Sequence, residues 1–265
     1  MTVTNITPMA DAEAQHRDDL ATALRVAYLH GFHEGIDNHF SVALGPDRFM
    51  INRYGPHWSE MTAADILTVD VDGELLAGDG VYETAAFTIH RAVHLARPDA
   101  TVVFHTHMPW ATAVALSEDG LITTLSQAAM YFHDRVRTVP YDGLATAEEE
   151  GERLLRLLGD DGDVVLMQNH GVVVVGTTVA EAWQRLYFLE RACQLQVLAM
   201  STGRPLHTVA DEVAARTYQQ FRDVEEQAAA SLFASMRRMA GRAAVGAAVG
   251  AAGATEFRGA DQLHG

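Results

Sequence analysis

The sequence predicts an α/β fold in which helices flank a mixed, largely antiparallel sheet. Short valine-rich segments typical of strands alternate with longer segments whose apolar residues recur every three or four positions, as in helices. The early strands follow one another across turns rather than across helices, which favours antiparallel pairing. Neither an internal repeat nor a linker interrupts the pattern before residue 240. We therefore expect a single three-layer α/β/α domain over 1–240.

The first half of the chain alternates helix, strands, helix and strand. A helix is predicted over 11–30 because Leu20, Leu24 and Tyr28 recur on one face. A helix over 84–96 is expected to end before the Arg97-Pro98 pair, since a residue that precedes proline disfavours helical geometry. The strands predicted around these helices are FSVAL (40–44), RFMIN (48–52), ILTVDVDGELL (66–76, turning at Asp72-Gly73) and ATVVFHTH (100–107).

The second half continues the alternation and ends in long helices. The clearest helix follows Thr178, where Glu181 stands at capping-box spacing, and it is expected to stop before Gly203 and Pro205. The other predicted elements are a short helix at 110–116, a strand at 136–141, a helix at 145–158, strands at 163–169 and 172–176, and helix over 208–240. Residues 241–265 are rich in Ala and Gly, and we expect them to form a disordered tail.

Composition narrows the classes of function. The 265 residues include 19 Lys and Arg against 35 Asp and Glu, and the resulting net charge of -16 argues against binding to nucleic acid or to an anionic membrane. The single cysteine, Cys193, permits no intrachain disulfide. The N-terminal residues lack the basic and then apolar pattern of a signal peptide, and the Ala/Gly run at 243–254 is too short to span a membrane. We expect a cytoplasmic protein that acts on a small molecule.

Three histidines are candidates for a metal site. His105 and His107 end a predicted strand, and because alternate residues of a strand share a face, both imidazoles can bind one ion. Alternatively, one of them packs in the core and the other caps the turn. His170 lies between two apolar strands and precedes Gly171, where a structural turn is the competing interpretation. Together, three histidines at strand ends are typical of a Zn²⁺ or Fe²⁺ site that keeps an open coordination position.

Four segments resemble the class II aldolase/adducin family, and together they span about residues 17–203. They are EGIDNHFSVAL, SEMTAADILTVDVDGELL, IHRAVHLARPDATVVFHTHMPWATAVAL and LMQNHGVVVVGTTVAEAWQRLYFLERACQLQ. The resemblance implies a class II aldolase-like fold, a homotetramer, and one divalent metal ion held by His105, His107 and His170. Zn²⁺ or Fe²⁺ suits these ligands best, and Mn²⁺ or Co²⁺ would also bind them.

One part of the family pattern is missing. Where sugar-phosphate aldolases of the family have Ser-Ser-Glu, with the serines binding phosphate and the glutamate moving a proton, this chain has Thr84, Ala85 and Ala86. The chain therefore resembles the adducin-like branch of the family, and we expect its substrate not to be a sugar phosphate. Glu83 could replace the glutamate if the backbone shifts, although an acidic residue at a helix N-terminus is also favoured by the helix dipole.

Further site residues are expected in two loops. Asn38 and Ser41 occupy the substrate-binding loop of the resembled family, with turn formation as the alternative interpretation. Arg53 has a planar guanidinium that suits a carboxylate, and Thr84 retains one hydroxyl. The predicted substrate-binding residues are thus Asn38, Ser41, Arg53 and Thr84, and the candidate proton-transfer residues are Glu83, Tyr54 and His57.

Three functions are compatible with these residues. The first is a divalent-metal-dependent lyase that acts on a non-phosphorylated carbonyl, hydroxy acid or keto acid. The second is a mononuclear non-haem Fe(II) oxygenase of an aromatic keto or hydroxy acid, as in aminocoumarin biosynthesis; the aromatic cluster around Trp58 would suit such a substrate. The third is a non-catalytic module like that of adducin, although a module of that kind has no need for three metal ligands.

Aromatic residues in predicted loops add support for the homotetramer. These residues are Tyr54, Trp58, Trp110 and Tyr131. A solvent-facing cluster of this kind is unusual for a monomer, so we expect it to be covered by neighbouring subunits.

Overall fold

The computed structural model describes residues 7–143, 151, 153 and 156–260, and only the helical backbone of residues 7–10 and 244–260. The helix predicted at 145–158 therefore lies largely outside the described residues. Within the described part of the chain, no helix is both long and apolar enough to cross a membrane.

The centre of the molecule is one eight-stranded sheet with the strand order β4-β3-β2-β1-β5-β8-β7-β6. Only β6 and β7 pair in parallel, and the remaining neighbours are antiparallel. The predicted mixed, largely antiparallel sheet is confirmed. Its strands are β1 (His39–Ala43), β2 (Arg48–Asn52), β3 (Ile66–Asp70), β4 (Leu75–Ala77), β5 (Val102–Thr106), β6 (Val136–Val139), β7 (Val164–Met167) and β8 (Gly171–Gly176).

Seven described helices accompany the sheet. They are α1 (Thr7–His30), α2 (Thr84–Ala96), α3 (Pro109–Ala115), α4 (Gln127–Met130), α5 (Val179–Met200), α6 (Asp211–Arg222) and α7 (Glu225–Ala260), with 3₁₀ turns at Trp58–Glu60 and Ala63–Asp65. The continuous helix predicted over 208–240 is interrupted at Asp223 and Val224. Helix α7 extends to Ala260, through residues for which the composition predicted a disordered tail. The domain boundary at 240 stays a prediction.

The layers follow from the alternation of side chains along the strands. Val102 and Phe104 of β5 point into a large apolar cluster shared with α1, α3 and α5, whereas Val103 belongs to a separate cluster beneath α2. Because residues two apart share a face, His105 points to the same side as Val103. The face of the sheet that α2 covers is therefore the face that carries the first candidate ligand.

Two of the aromatic residues predicted to be exposed are core residues. Trp58 and Tyr131 are both fully buried, and Trp58 packs edge-on against Phe40. Tyr54 is 39% exposed. The exposure argument for a homotetramer fails for Trp58 and Tyr131, and Trp58 cannot line a pocket for an aryl substrate.

A buried ion network fixes helices α5, α6 and α7 to the sheet. Arg185 of α5 contacts Asp163 at 3.1 Å and also pairs with Glu181 and Glu225, and Arg222 reaches Asp163 at 2.9 Å. Arg222 ends α6, and Glu225 begins α7, so both flank the interruption between the two helices. The network thus joins both sides of that break to one arginine.

Candidate metal centre

The structure brings the three predicted histidines together at one end of the sheet. His105 is the penultimate residue of β5, His107 follows the end of β5, and His170 lies in the turn between β7 and β8. One potential ligand atom from each histidine lies within 4.8 Å of the other two. The ring centroids are 4.8 to 5.0 Å apart. We refer to these three residues as the triad.

The turn that carries His170 depends on two unusual backbone positions. Asn169 has a φ of 58°, in the left-handed region that asparagine tolerates better than most residues. A Cβ atom added at Gly171 would lie 2.6 Å from both His107 Cδ2 and the Thr106 carbonyl oxygen. Only a glycine at this position lets β8 approach the end of β5 so closely.

Two imidazoles of the triad, those of His105 and His107, have lowered pKa values, which favours the neutral form that binds a cation. Burial lowers the pKa of His105 well below its ordinary value of 6.5, and neighbouring histidines lower it further. Burial also lowers the pKa of His107, against the opposing charge of Asp37. His105 Nδ1 donates a hydrogen bond to the Val172 carbonyl at 3.0 Å, which leaves Nε2 unprotonated and 3.1 Å from His107 Nε2. This set of donors fits a divalent metal ion.

Asn38 orients the backbone beside the triad. Its side-chain oxygen accepts a hydrogen bond from the His107 amide at 3.2 Å, and its φ of 77° turns the chain into β1. Asn38 is buried, yet its amide nitrogen has no hydrogen-bond partner among the described residues. A buried unpaired donor is costly, so this nitrogen would gain a partner if a ligand reached it.

Glu83 is the carboxyl group at the N-terminus of α2, where it occupies the N-cap position. Burial raises its pKa, and the charge of Asp37 raises it further. Asp37 also acts on the pKa of His107, so its charge reaches both Glu83 and the triad. Asp37 was not among the predicted site residues, because an Asp-Asn pair in a loop is typical of a turn.

The family assignment rests on similarity over most of the chain. Residues 18–197 match the model of the "Class II Aldolase and Adducin N-terminal domain". The chain belongs to the class II aldolase/adducin family. A Caulobacter vibrioides protein assigned to aldolase class 2 is 39% identical over 209 residues, which cover 78% of this chain and 80% of that protein. Alpha-adducin of Rattus norvegicus is 34% identical over 200 residues, covering 71% of this chain but only 26% of adducin.

Solved structures of the family share this fold. An aldolase II superfamily protein from Pseudomonas syringae superimposes with a TM-score of 0.82 and 35% identity, covering 90% of this chain and 95% of that one. An L-fuculose 1-phosphate aldolase from Glaciozyma antarctica gives a TM-score of 0.78 at 23% identity, covering 91% and 96%. At that identity the second likeness concerns the fold alone.

The structure corrects one predicted substrate contact within this family fold. Ser41 is fully buried in β1, and its hydroxyl is hydrogen-bonded to both His90 and His94 of α2. A residue enclosed in this way cannot bind substrate in the conformation described. Ser41 points toward α2 because it lies two residues after His39 on the same face of β1.

The position of the missing family glutamate is part of the core. Ala86 is buried in an apolar cluster with Phe49, Leu67 and Val69. Thr84, the first residue of α2, is exposed. A carboxylate at position 86 would be surrounded by apolar side chains, so the absence of the glutamate is accommodated by packing rather than by an empty site.

The loop residues Arg53, Tyr54 and His57 are not joined to the triad by any hydrogen bond, ion pair or ring contact among the described residues. Arg53 faces Asp65 at 3.6 Å. His57 is hydrogen-bonded to Ser59. Its ring packs against Tyr28 of α1 and against His33, which follows α1. The predicted roles of Arg53, Tyr54 and His57 therefore stay predictions.

Proposed function

We propose that this chain is a divalent-metal-dependent lyase of class II aldolase type, with His105, His107 and His170 as the metal ligands. The observation that carries the proposal is the convergence of three imidazoles, of which His105 is held in its tautomer by a backbone carbonyl. Zn²⁺ or Fe²⁺ is the favoured ion, and Mn²⁺ or Co²⁺ would also suit imidazole ligands. A bound divalent ion would supply a Lewis acid that polarises the substrate carbonyl.

The residues around the triad have separate tasks in this proposal. Glu83 holds or accepts the proton in place of the missing family glutamate, because its raised pKa brings it closer to neutral pH. Asp37 sustains that shift through its charge. Asn38 donates its unpaired amide hydrogen to a substrate oxygen. Tyr54 and His57 are alternative proton-transfer groups, and Arg53 and Thr84 are further candidates for substrate binding.

The proposed substrate is a carbonyl compound, hydroxy acid or keto acid without a phosphate group. The family's phosphate-binding serines are represented here by Thr84 and Ala85. One exposed hydroxyl offers a phosphate fewer hydrogen bonds than two do. Efficient cleavage of a sugar phosphate by the purified protein would contradict this part of the proposal.

An Fe(II)-dependent oxygenase acting on an aromatic keto or hydroxy acid is the second candidate. It is favoured by the apolar surroundings of Ala86, which leave the triad without the carboxylate that the aldolases place there. The lyase is favoured over the oxygenase by Glu83, because a lyase requires a group for proton transfer and Asp37 acts electrostatically on both Glu83 and His107.

A non-catalytic module is the third candidate, supported by the similarity to alpha-adducin. The clustering of all three histidines counts against it, because a non-catalytic module has no need for three convergent metal ligands.

We further propose a homotetramer with its metal sites close to subunit interfaces, in the cytoplasm. The family resemblance supports this assembly, and light scattering tests it. A fully active monomer of 28.8 kDa would contradict it.

The test is elemental analysis of protein purified without added metal, followed by two assays on that same protein. Retro-aldol release of an aldehyde or ketone from hydroxy acids indicates the lyase. Oxygen uptake with an aryl pyruvate, after anaerobic loading with Fe²⁺, indicates the oxygenase. Protein that binds no divalent ion at neutral pH would reject both and support the non-catalytic module.

A further inference from the structure

A series of hydrogen bonds, which we call the hydrogen-bond chain, runs from the C-terminal end of α2 toward the triad. Its members are buried or partly buried polar groups between α2 and the sheet, and in order they are the Ala100 carbonyl, His94, Ser41, His90 and His39. His39 pairs with His105 across β1 and β5, and the two rings stack with their centroids 4.7 Å apart. The hydrogen-bond chain therefore ends against a triad residue.

The first bond determines the direction of the rest, because a carbonyl oxygen can only accept. His94 Nδ1 lies 3.0 Å from the Ala100 oxygen, so Nδ1 carries the proton. Burial lowers the pKa of His94 to about 4, so His94 is neutral at pH 7 and its Nε2 is unprotonated. The Ser41 hydroxyl, 2.7 Å away, therefore donates to His94 Nε2.

Each later group has only one arrangement left. A hydroxyl has a single proton, so Ser41, which donates to His94, must accept from His90 Nδ1–H. Burial holds the pKa of His90 well below its usual value, and the neutral ring is left with an unprotonated Nε2. That atom accepts from His39 Nδ1–H at 2.7 Å. A neutral imidazole carries a single proton, and in His39 this proton is on Nδ1, so His39 Nε2 carries none.

We propose that His94, Ser41 and His90 are positioning residues that hold His39 in this one tautomer, so that His39 Nε2 accepts a hydrogen bond from the hydroxyl of a hydroxy acid bound at the triad. The ligand in this inference rests on the proposed metal site, whereas the tautomer does not. Among the described residues no hydrogen bond occupies His39 Nε2.

The acceptor gives the site a preference between two oxygen chemistries. A hydroxyl can donate to an unprotonated nitrogen, whereas a keto oxygen presents only lone pairs. The ring of His39 stacks on that of His105, whose Nε2 lies 3.1 Å from His107 Nε2, so His39 borders the triad. Hydroxy acids are therefore favoured over the corresponding keto acids, and no change in the protonation of His39 is needed.

Nitrogen NMR of protein labelled at histidine, recorded without metal, reads the tautomers directly. In the wild type we expect His39 to carry its proton on Nδ1, with the resonance assigned by its loss in His39→Phe. In His94→Phe the Ser41 hydroxyl loses its acceptor and turns to donate to His90 Nδ1. His90 then donates from Nε2 to His39 Nδ1, and the proton of His39 moves to Nε2.

Two variants complete the design. His133→Phe makes the same substitution at a buried histidine that takes no part in the hydrogen-bond chain, and it should leave the tautomer of His39 unchanged. Ser41→Ala removes the link itself and serves if His94→Phe does not fold. It should also move the proton of His39 to Nε2, because a buried N–H on His90 Nδ1 would otherwise have no acceptor. A wild-type His39 protonated at Nε2, or an unchanged His39 in a folded His94→Phe protein, overturns the inference.

Lactate and pyruvate, which differ at one oxygen, test the ligand on zinc-loaded protein. We expect the ratio of their affinities to favour lactate in the wild type, and to fall about fivefold in His94→Phe, as the loss of one hydrogen bond requires. An equal ratio in both proteins contradicts the assignment of the ligand. Failure of the protein to bind zinc would reject the proposed function and leave the NMR result on the tautomer standing.

Discussion

Two groups of buried polar side chains lie in different layers of this molecule and satisfy their polar atoms in opposite ways. The ion network around Arg185 pairs positive with negative groups. The histidine cluster consists of the triad with His39, His90 and His94, and burial lowers the pKa values of His39, His90, His94 and His105 and so favours their neutral forms. Charges that compensate one another have no need of a further ligand, whereas lone pairs that converge without a cation do.

The difference separates a structural role from a functional one. Arg185 and Arg222 join three helices and a strand through short contacts, and both ends of the break between α6 and α7 take part. In the triad, by contrast, His105 Nε2 and His107 Nε2 face each other at 3.1 Å, and a nitrogen of His170 lies within 4.8 Å of both rings' ligand atoms. We expect substitutions in the ion network to change stability with little effect on metal binding, and substitutions at the triad to do the reverse.

The largest expected effect is the loss of stability in Arg185→Ala. It removes one of the two arginines that Asp163, Glu181 and Glu225 share, and we expect the free energy of unfolding to fall by about 3 to 5 kcal/mol. Urea denaturation measures the change. Arg237→Ala, which removes partly exposed ion pairs to Asp18 and Asp19, is the control and should cost less than about 1 kcal/mol. Equal losses of unfolding free energy in the two variants would show that the buried ion network stabilises the protein no more than partly exposed ion pairs do.

The next effect is a dependence of stability on pH that comes from the histidine cluster. His39, His90, His94 and His105 have pKa values lowered by burial, that of His94 to about 4, so below pH 6.5 the unfolded chain binds protons before the folded chain does. The free energy of unfolding of metal-free protein should therefore decline as the pH falls from 6.5 toward 4. Urea midpoints across that range measure the decline.

His94→Phe sharpens the pH experiment, because it removes one of the titrating rings and keeps an aromatic group beside Phe49. The number of protons taken up on unfolding should decrease by about one. A slope that matches the wild type would show that His94 titrates alike in the folded and unfolded chains.

A smaller effect is expected from Gly171→Ala, which adds a Cβ atom 2.6 Å from the His107 ring. The ring or the turn must move, and zinc affinity should fall by about tenfold, in line with the effect of disturbing groups that orient metal ligands. Competition with a chromophoric chelator measures the affinity. Gly241→Ala, where nothing lies within 4 Å of the added atom, should leave zinc binding unchanged.

The smallest effect concerns Asp37, whose negative charge acts on both the proposed proton-transfer group Glu83 and the proposed metal ligand His107. Replacing Asp37 with Asn removes a negative charge that raises the pKa of Glu83 and of His107, so both pKa values should fall. NMR titration of the metal-free variant checks the direction for each residue. Unchanged values would place Asp37 too far away to support Glu83.

The sequence predicted those parts of the fold and site that depend on local patterns. Strand alternation and helical spacing identify the mixed sheet and most helices, and the segments around His105 and His170 carry the family resemblance. The contact between His39 and His90 joins residues 51 positions apart, and no local pattern indicates it. The same applies to Ser41. It stands in a segment that resembles the family's substrate-binding loop, and no local pattern indicates that it is buried under α2.

Burial of the aromatic residues could not be predicted for a related reason. Trp58 and Tyr131 stand in segments that contain turns and polar residues, which favour surface loops. In the folded chain Trp58 packs on Phe40, and the hydroxyl of Tyr131 donates to Glu225, 94 positions away. The break between α6 and α7 was missed because Arg222 and Glu225, on either side of it, are good helix formers, and the contact of Glu225 with Arg185 joins residues 40 positions apart.

The most direct test of the central claim is a zinc titration of the wild type and of His170→Ala at neutral pH, with His57→Ala as the control outside the triad. The account predicts one zinc ion per wild-type chain, the same affinity in His57→Ala, and an affinity lower by more than about a hundredfold in a folded His170→Ala protein. Zinc binding by His170→Ala with wild-type affinity would contradict the assignment of the triad as the metal centre.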